Sequence, residues 1–118
     1  MDLYQLSKIQ IEMDEQHGFH VHFEDNIKKY EQLTKDLVGL FGEIGEFANI
    51  VKKANIKLEN AESYEFNILE GEKAMREELA DSLIYLIRIA AILDMDIQDE
   101  TLKKMQKNKD KYAQRRRG

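Results

Sequence analysis

The chain contains no cysteine and no proline. Without cysteine it can form no disulfide, thiolate zinc site or iron–sulfur cluster, and it has no cysteine nucleophile. A β-rich or loop-rich chain of this size normally places several prolines at turns and edges, whereas long helices exclude them. An all-α chain is therefore expected. No apolar run approaches the ~18 residues of a membrane span. The start Met1-Asp2-Leu3-Tyr4 has no signal-peptide pattern, so a cytoplasmic protein with no membrane partner is expected.

What is present fits one domain over residues 1–118, with 42% hydrophobic and 35% charged residues. The net charge of −5 conceals an asymmetry. Residues 1–100 carry 10 Lys/Arg against 22 Asp/Glu, while residues 101–118 carry 8 Lys/Arg against Asp110 alone. An acidic body with a basic end binds a polyanion where its acids are neutralised, for instance by metal. Residues 113–118, with Arg115-Arg116-Arg117, also read as a frayed solubilising tail.

Hydrophobic periodicity predicts four helices: Leu3 to Glu15, Glu24 to Ile56, Glu72 to Leu93, and one starting near Asp96. In the second, Ile27, Tyr30, Leu33, Leu37, Leu40, Ile44, Phe47, Val51 and Ala54 describe one continuous seam that is expected to be buried. In the fourth, Ile97, Leu102, Met105 and Tyr112 are expected to face inward. The polar stretch Lys57 to Gly71 reads as a loop pinned by Tyr64, Phe66, Ile68 and Leu69. An antiparallel four-helix-bundle-type domain is the natural architecture.

Six acidic pairs stand three residues apart, against about four expected by chance at this composition, so context must separate them. The segment Leu79 to Leu93 is apolar around its whole circumference and is expected to be buried on nearly every side, yet it holds Asp81 and Arg88, with Glu78 one turn before Asp81. A buried carboxylate is costly unless it is paired or coordinates metal, so Asp81 signals either an ion pair with Arg88 or a ligand. Glu43 and Glu46 give the matching anomaly, because Glu43 lies within about 40° of Phe47 and Ala54 on the helical wheel. Gly39, Gly42 and Gly45 share that helix, each costing roughly 1 kcal/mol relative to alanine. Their presence implies either close helix packing or a ligand approaching the backbone.

Two helices thus each bring a carboxylate pair toward a shared interior, where four acids would repel one another unless cations lie between them. Oxygen-only ligands favour Mg²⁺ or Mn²⁺. A ferritin-like di-iron site would need Glu-x-x-His on two helices, but the histidines are His17, His20 and His22, all at the exit of the first helix. On the fourth helix Asn108 shares the face of Met105 and Tyr112, and Lys104, Lys107 and Lys111 line the adjacent face. Mg²⁺ shares its coordination with substrate phosphates, and lysines hold outer phosphates as point charges. Phosphate-ester chemistry on a nucleotide follows, without any Walker or dinucleotide-binding glycine loop.

Three segments, Gly42-Glu43-Ile44-Gly45-Glu46-Phe47, Glu77 to Leu86 and Lys104 to Tyr112, resemble in this order the MazG-like all-α nucleoside triphosphate pyrophosphohydrolases. The resemblance is nearest to the dCTP pyrophosphatase type and spans about Leu37 to Tyr112. It implies Mg²⁺-dependent, or Mn²⁺-dependent, hydrolysis of a nucleoside triphosphate to monophosphate and pyrophosphate. It also implies metal ligation and catalysis by Glu43, Glu46, Glu78 and Asp81; among these, Glu46 lies farther from the apolar seam and is the candidate general base. Nucleotide contacts are implied for Asn108, Lys111 and Tyr112, and a base contact for Tyr85; Lys104 and Lys107 add positive charge. Homodimers or dimers of dimers are implied, with sites completed by neighbouring subunits. Lys111 stands where many members carry arginine, and many carry a further acid in place of Gly42. A helical interaction module, its basic tail meeting nucleic acid or an acidic partner, is the competing expectation. A nucleotide sensor without turnover is the third. Nucleic acid is not the expected partner of the enzyme.

Overall fold

The computed structural model describes residues 1–117, which form four helices and no strand. Helix α1, Leu3–Gln16, opens on a reciprocal cap: Asp2 accepts from the Gln5 N–H at 2.8 Å, and the Gln5 side chain accepts from the Asp2 N–H at 3.0 Å. It ends where Gly18 adopts φ +82°. The Phe19 N–H then reaches back to the Asp14 carbonyl at 2.8 Å, and that of Gly18 to Glu15 at 3.1 Å, a Schellman closure. The segment that follows buries Val21 and ends at Asp25, whose side chain caps helix α2, Asn26–Glu59.

Helices α2 and α3 (Ile68–Ile92) make the most extensive packing in the chain. Their neighbours run in opposite senses: Ile50 lies near Gly71, Gly39 meets Tyr85, and Asp36 meets Arg88, so the pair is an antiparallel hairpin. The connection is shorter than the expected loop. Helix α2 runs three residues past Ile56, and α3 starts four residues before Glu72 because Asn67 caps it, accepting from the Glu70 N–H at 3.0 Å. Lys57 binds the carbonyls of Ala61 and Tyr64, fastening the turn to α2. The Phe66 ring fills the space where Gly71 has no Cβ, whereas Leu69, an expected anchor, is exposed.

Helix α1 packs on α3, and helix α4, Ile97–Arg117, leans mainly on α1. The joint before α4 is closed from both sides. Asp94 takes the left-handed conformation at φ 57°, the Met95 N–H bonds the Ala90 carbonyl at 2.9 Å, and Asp96 caps α4 through the Asp99 N–H at 3.1 Å. The helix continues through residues 113–117, so the part of the expected frayed tail within the described residues is helical. Gly118 lies outside them.

A compact chain of this length has a radius of gyration of about 13.5 Å; here it is 18.8 Å, because α4 reaches away from the α2–α3 hairpin. This openness corrects three expectations of burial. Of the α2 seam only Leu40 is buried, while Ile27 is 73% exposed and Tyr30, Leu37, Ile44 and Val51 also face outward. Helix α3 leaves Leu79 and Leu86 exposed, so it is not buried on every side. On α4 Leu102, Met105 and Tyr112 are exposed rather than inward. Helix α4 does not pack over these rows, so within one chain they stay uncovered. Among the described residues no helix is long and apolar enough to cross a membrane.

Candidate active site

Glu43 and Glu46 stand one turn apart on α2, and the antiparallel register brings Glu78 of α3 against them. One carboxylate oxygen from each of the three lies within 4.8 Å of the others. Glu43 and Glu78 are half-buried and Glu46 is exposed. The Glu78 carboxyl is pushed up to about 7, first by a hydrogen bond shared with Glu43, then by desolvation, then by Glu46. Its Oε2 is buried without a hydrogen-bond partner among the described residues. Three converging acids, one raised and holding an orphaned oxygen, form a donor set that a hard divalent cation satisfies.

Asp81, the fourth acid expected here, lies one turn beyond Glu78 but outside this group, on exposed surface. With Glu43 it lines a cleft of about 480 Å³ that opens beside the triad. Tyr85 lines the same cleft, its ring lying across α2. Gly39 makes this approach possible: a Cβ there would fall 2.5 Å from Tyr85 Cε1 and 2.7 Å from its hydroxyl oxygen. Gly42 and Gly45 face open space, so neither close packing within the chain nor Tyr85 accounts for them.

The intrahelical pairing of Asp81 with Arg88 does not form. Arg88 is only 7% exposed and turns instead toward α2 and α1. Its Nε donates to Asp36 Oδ1 at 3.1 Å, and its Nη1 donates to Asp14 Oδ2 at 3.0 Å and to the Phe19 carbonyl at 3.2 Å. Burial works against the guanidinium charge, but the hydrogen bonds to Asp36 and Asp14 outweigh it, and the group is held protonated. Sequence reasoning missed Asp36, Asp14 and Phe19. The available signal was Asp36 itself, an acid one turn before buried Leu40 on the apolar stripe of α2.

The expected substrate contacts on α4 do not reach this cleft within one chain. Lys104 and Lys107 line a hollow formed by α4 residues alone, and Asn108 and Tyr112 line another. Lys111 is exposed on the same helix.

Comparison with known proteins adds an independent observation. The model of the MazG nucleotide pyrophosphohydrolase domain matches residues 30–116. The dCTP pyrophosphatase 1 of Rattus norvegicus is 28% identical over 95 residues, covering 79% of this chain and 54% of that protein. The Mus musculus protein of the same name matches with the same identity and coverage. The chain spans about half the length of these curated relatives. No solved structure matches it.

Proposed function

The chain belongs to the MazG nucleotide pyrophosphohydrolase family, and from that premise we propose that it hydrolyses a nucleoside triphosphate to the monophosphate and pyrophosphate with Mg²⁺ or Mn²⁺. Water adds across the α–β phosphoanhydride: its oxygen ends on one phosphorus, and the bridging oxygen stays with the other. The observation that carries this reading is the convergence of Glu43, Glu46 and Glu78, with the unpartnered Oε2 of Glu78 among them. These three residues, extended by Asp81 at the cleft wall, would hold the metal. A divalent cation at such a site neutralises phosphate charge and acidifies water. Glu46, the exposed member, would accept the proton of the attacking water on a carboxylate oxygen. Tyr85 lines the same cleft as Glu43 and Asp81.

Self-association completes the proposal. Tyr30, Leu37, Ile44 and Val51 recur every seven residues along α2 and are all exposed, as are Leu79 and Leu86 on α3. Such a row is what a second helix covers. A neighbouring chain's α4 would then bring its Lys104, Lys107, Asn108, Lys111 and Tyr112 to the phosphates and sugar, in a cytoplasmic homodimer or dimer of dimers. The relatives' name makes dCTP the first substrate to try.

The test is a pyrophosphate-release screen over the common NTPs and dNTPs with Mg²⁺, Mn²⁺ or chelator, with sedimentation run in parallel. Release that needs metal and is lost in Glu78→Gln supports the reading. No release from any triphosphate with either metal overturns it, and binding without release points to a sensor.

A further inference from the structure

Three contacts between α2 and α3 obey one antiparallel register. Asp36 meets Arg88 through the 3.1 Å bond from Nε. Three residues forward on α2 and three back on α3, Gly39 meets the Tyr85 ring. Seven residues further along each helix, Glu46 meets Glu78 in the triad. The acids thus converge in the register at which Asp36 faces Arg88. The ion pair and the triad lie ten residues apart on each helix, about 15 Å along the axis, so they do not touch.

The two ends act in opposite senses. Three carboxylates within 4.8 Å repel one another, which favours any slide or turn of α2 against α3 that parts them. A slip of one helical turn, about 5.4 Å, is larger than that separation and would break the group. Arg88 opposes the slip from a buried frame, because it also donates to Asp14 Oδ2 of α1 at 3.0 Å and to the Phe19 carbonyl at 3.2 Å. Between the two ends, the Tyr85 ring sits in the notch left at Gly39 and obstructs sliding. As a source of stability the ion group is poorly made. Two carboxylates share one guanidinium, and Asp36 Oδ2 is buried with no partner among the described residues. Buried ion pairs often give way to apolar replacements without loss of stability, and fixing register is their best-attested use.

We propose that the Arg88–Asp36 pair is the register lock of the hairpin, holding Glu43 and Glu46 opposite Glu78 against their own repulsion so that a divalent cation meets all three assembled. The inference rests on the reading of the triad as a metal site. Arg88 and Asp36 supply no ligand to that site and are positioning residues.

The experiment measures Mn²⁺ binding to the full chain without nucleotide, counting free Mn²⁺ by electron paramagnetic resonance, beside a melting curve in chelator. Asp36→Leu cuts the link between α2 and α3 but leaves Arg88 paired with Asp14, so no lone charge is buried. Its melting point should equal or exceed that of wild type, while Mn²⁺ affinity falls roughly tenfold, the low end of what losing an orienting partner costs a metal site. Asp36→Asn removes the same charge but keeps an oxygen for Arg88 Nε, and its affinity should stay close to that of wild type. Val21→Ala, which hollows a buried position outside the hairpin, should lower the melting point and leave the affinity unchanged. Asp36→Ala replaces the leucine variant if the larger side chain prevents folding. Equal affinities in Asp36→Leu and Asp36→Asn, or an affinity that follows the melting point across the set, overturn the inference and leave the metal reading intact. A wild-type chain that binds no Mn²⁺ overturns the metal reading, and this inference falls with it.

Discussion

Replacing Arg88 with methionine keeps much of the side-chain volume but removes the cation that three acceptors share. The Arg88 and Asp36 side chains are 8% and 7% exposed, and that of Asp14 is 14% exposed, so none of them recovers full hydration when the pair is broken. Asp36 already has one oxygen without a partner among the described residues, and the substitution orphans the other. Breaking a buried ion pair from one side costs about 3–5 kcal/mol, because the remaining charges stay buried. Against the 5–15 kcal/mol of a typical domain this is a large share, and it corresponds to a fall in Tm of roughly 10–20 °C. Urea unfolding at fixed protein concentration in chelator isolates the effect from metal binding and self-association. Combining Arg88→Met with Asp36→Leu and Asp14→Asn should recover most of the loss, since apolar or neutral replacement of a whole buried ionic group is often neutral or stabilising. A loss below about 1 kcal/mol for Arg88→Met alone would refute the reasoning, because that is what a surface ion pair is worth.

On the proposed reading of the triad as a metal site, the raised Glu78 carboxyl should make metal binding pH-dependent. Lifted from 4.5 to about 7, it holds a proton in the folded chain that the unfolded chain has released, so its contribution to stability is complete below pH 4.5 and is lost as pH rises through 7. Mg²⁺ must displace that proton, so its affinity should climb about tenfold per pH unit up to pH 7 and then level; calorimetry in two buffers should show close to one proton released at pH 6, and a flat profile would contradict the coupling. Gly39→Ala should destabilise by about 1–3 kcal/mol despite its better helix propensity, because its Cβ meets Tyr85. Gly42→Ala should stabilise an isolated chain by about 1 kcal/mol, and weakened self-association in sedimentation would place a neighbouring chain over it. Lys111→Ala should weaken Mg²⁺-dependent binding of a non-hydrolysable triphosphate more than deletion of residues 115–118, and calorimetry showing the reverse would favour an interaction module.

Helix content was legible because periodicity and caps act locally. Asp2 and Asp96 both start helices, and the missed start of α3 was also local, since Asn67 and Glu70 carry its cap. Glu43, Glu46 and Glu78 were legible as a group because each stands out against an apolar helix. Arg88 was recognised as anomalous but not paired correctly. Spacing within a helix favours Asp81, whereas Asp36 and Asp14 lie 52 and 74 residues away and meet Arg88 only after the helices dock. The seam of α2 shows the complementary limit. A periodic pattern identifies a face to be covered, but not which chain covers it, and here most of that face stays open.

The joint between α3 and α4 makes the last helix a lever. Its pivot is four residues long, Leu93 to Asp96, closed by hydrogen bonds on both sides and bent through the left-handed backbone of Asp94. Lys111 sits 14 residues into the arm, about 21 Å from the pivot. A swing of about 10° at the joint would carry that lysine by roughly 4 Å, more than the whole length of a hydrogen bond. The aim of α4 thus depends on the backbone of one aspartate as well as on its packing against α1. A change at Asp94 would alter where the lysines arrive while leaving every carboxylate of the triad in place.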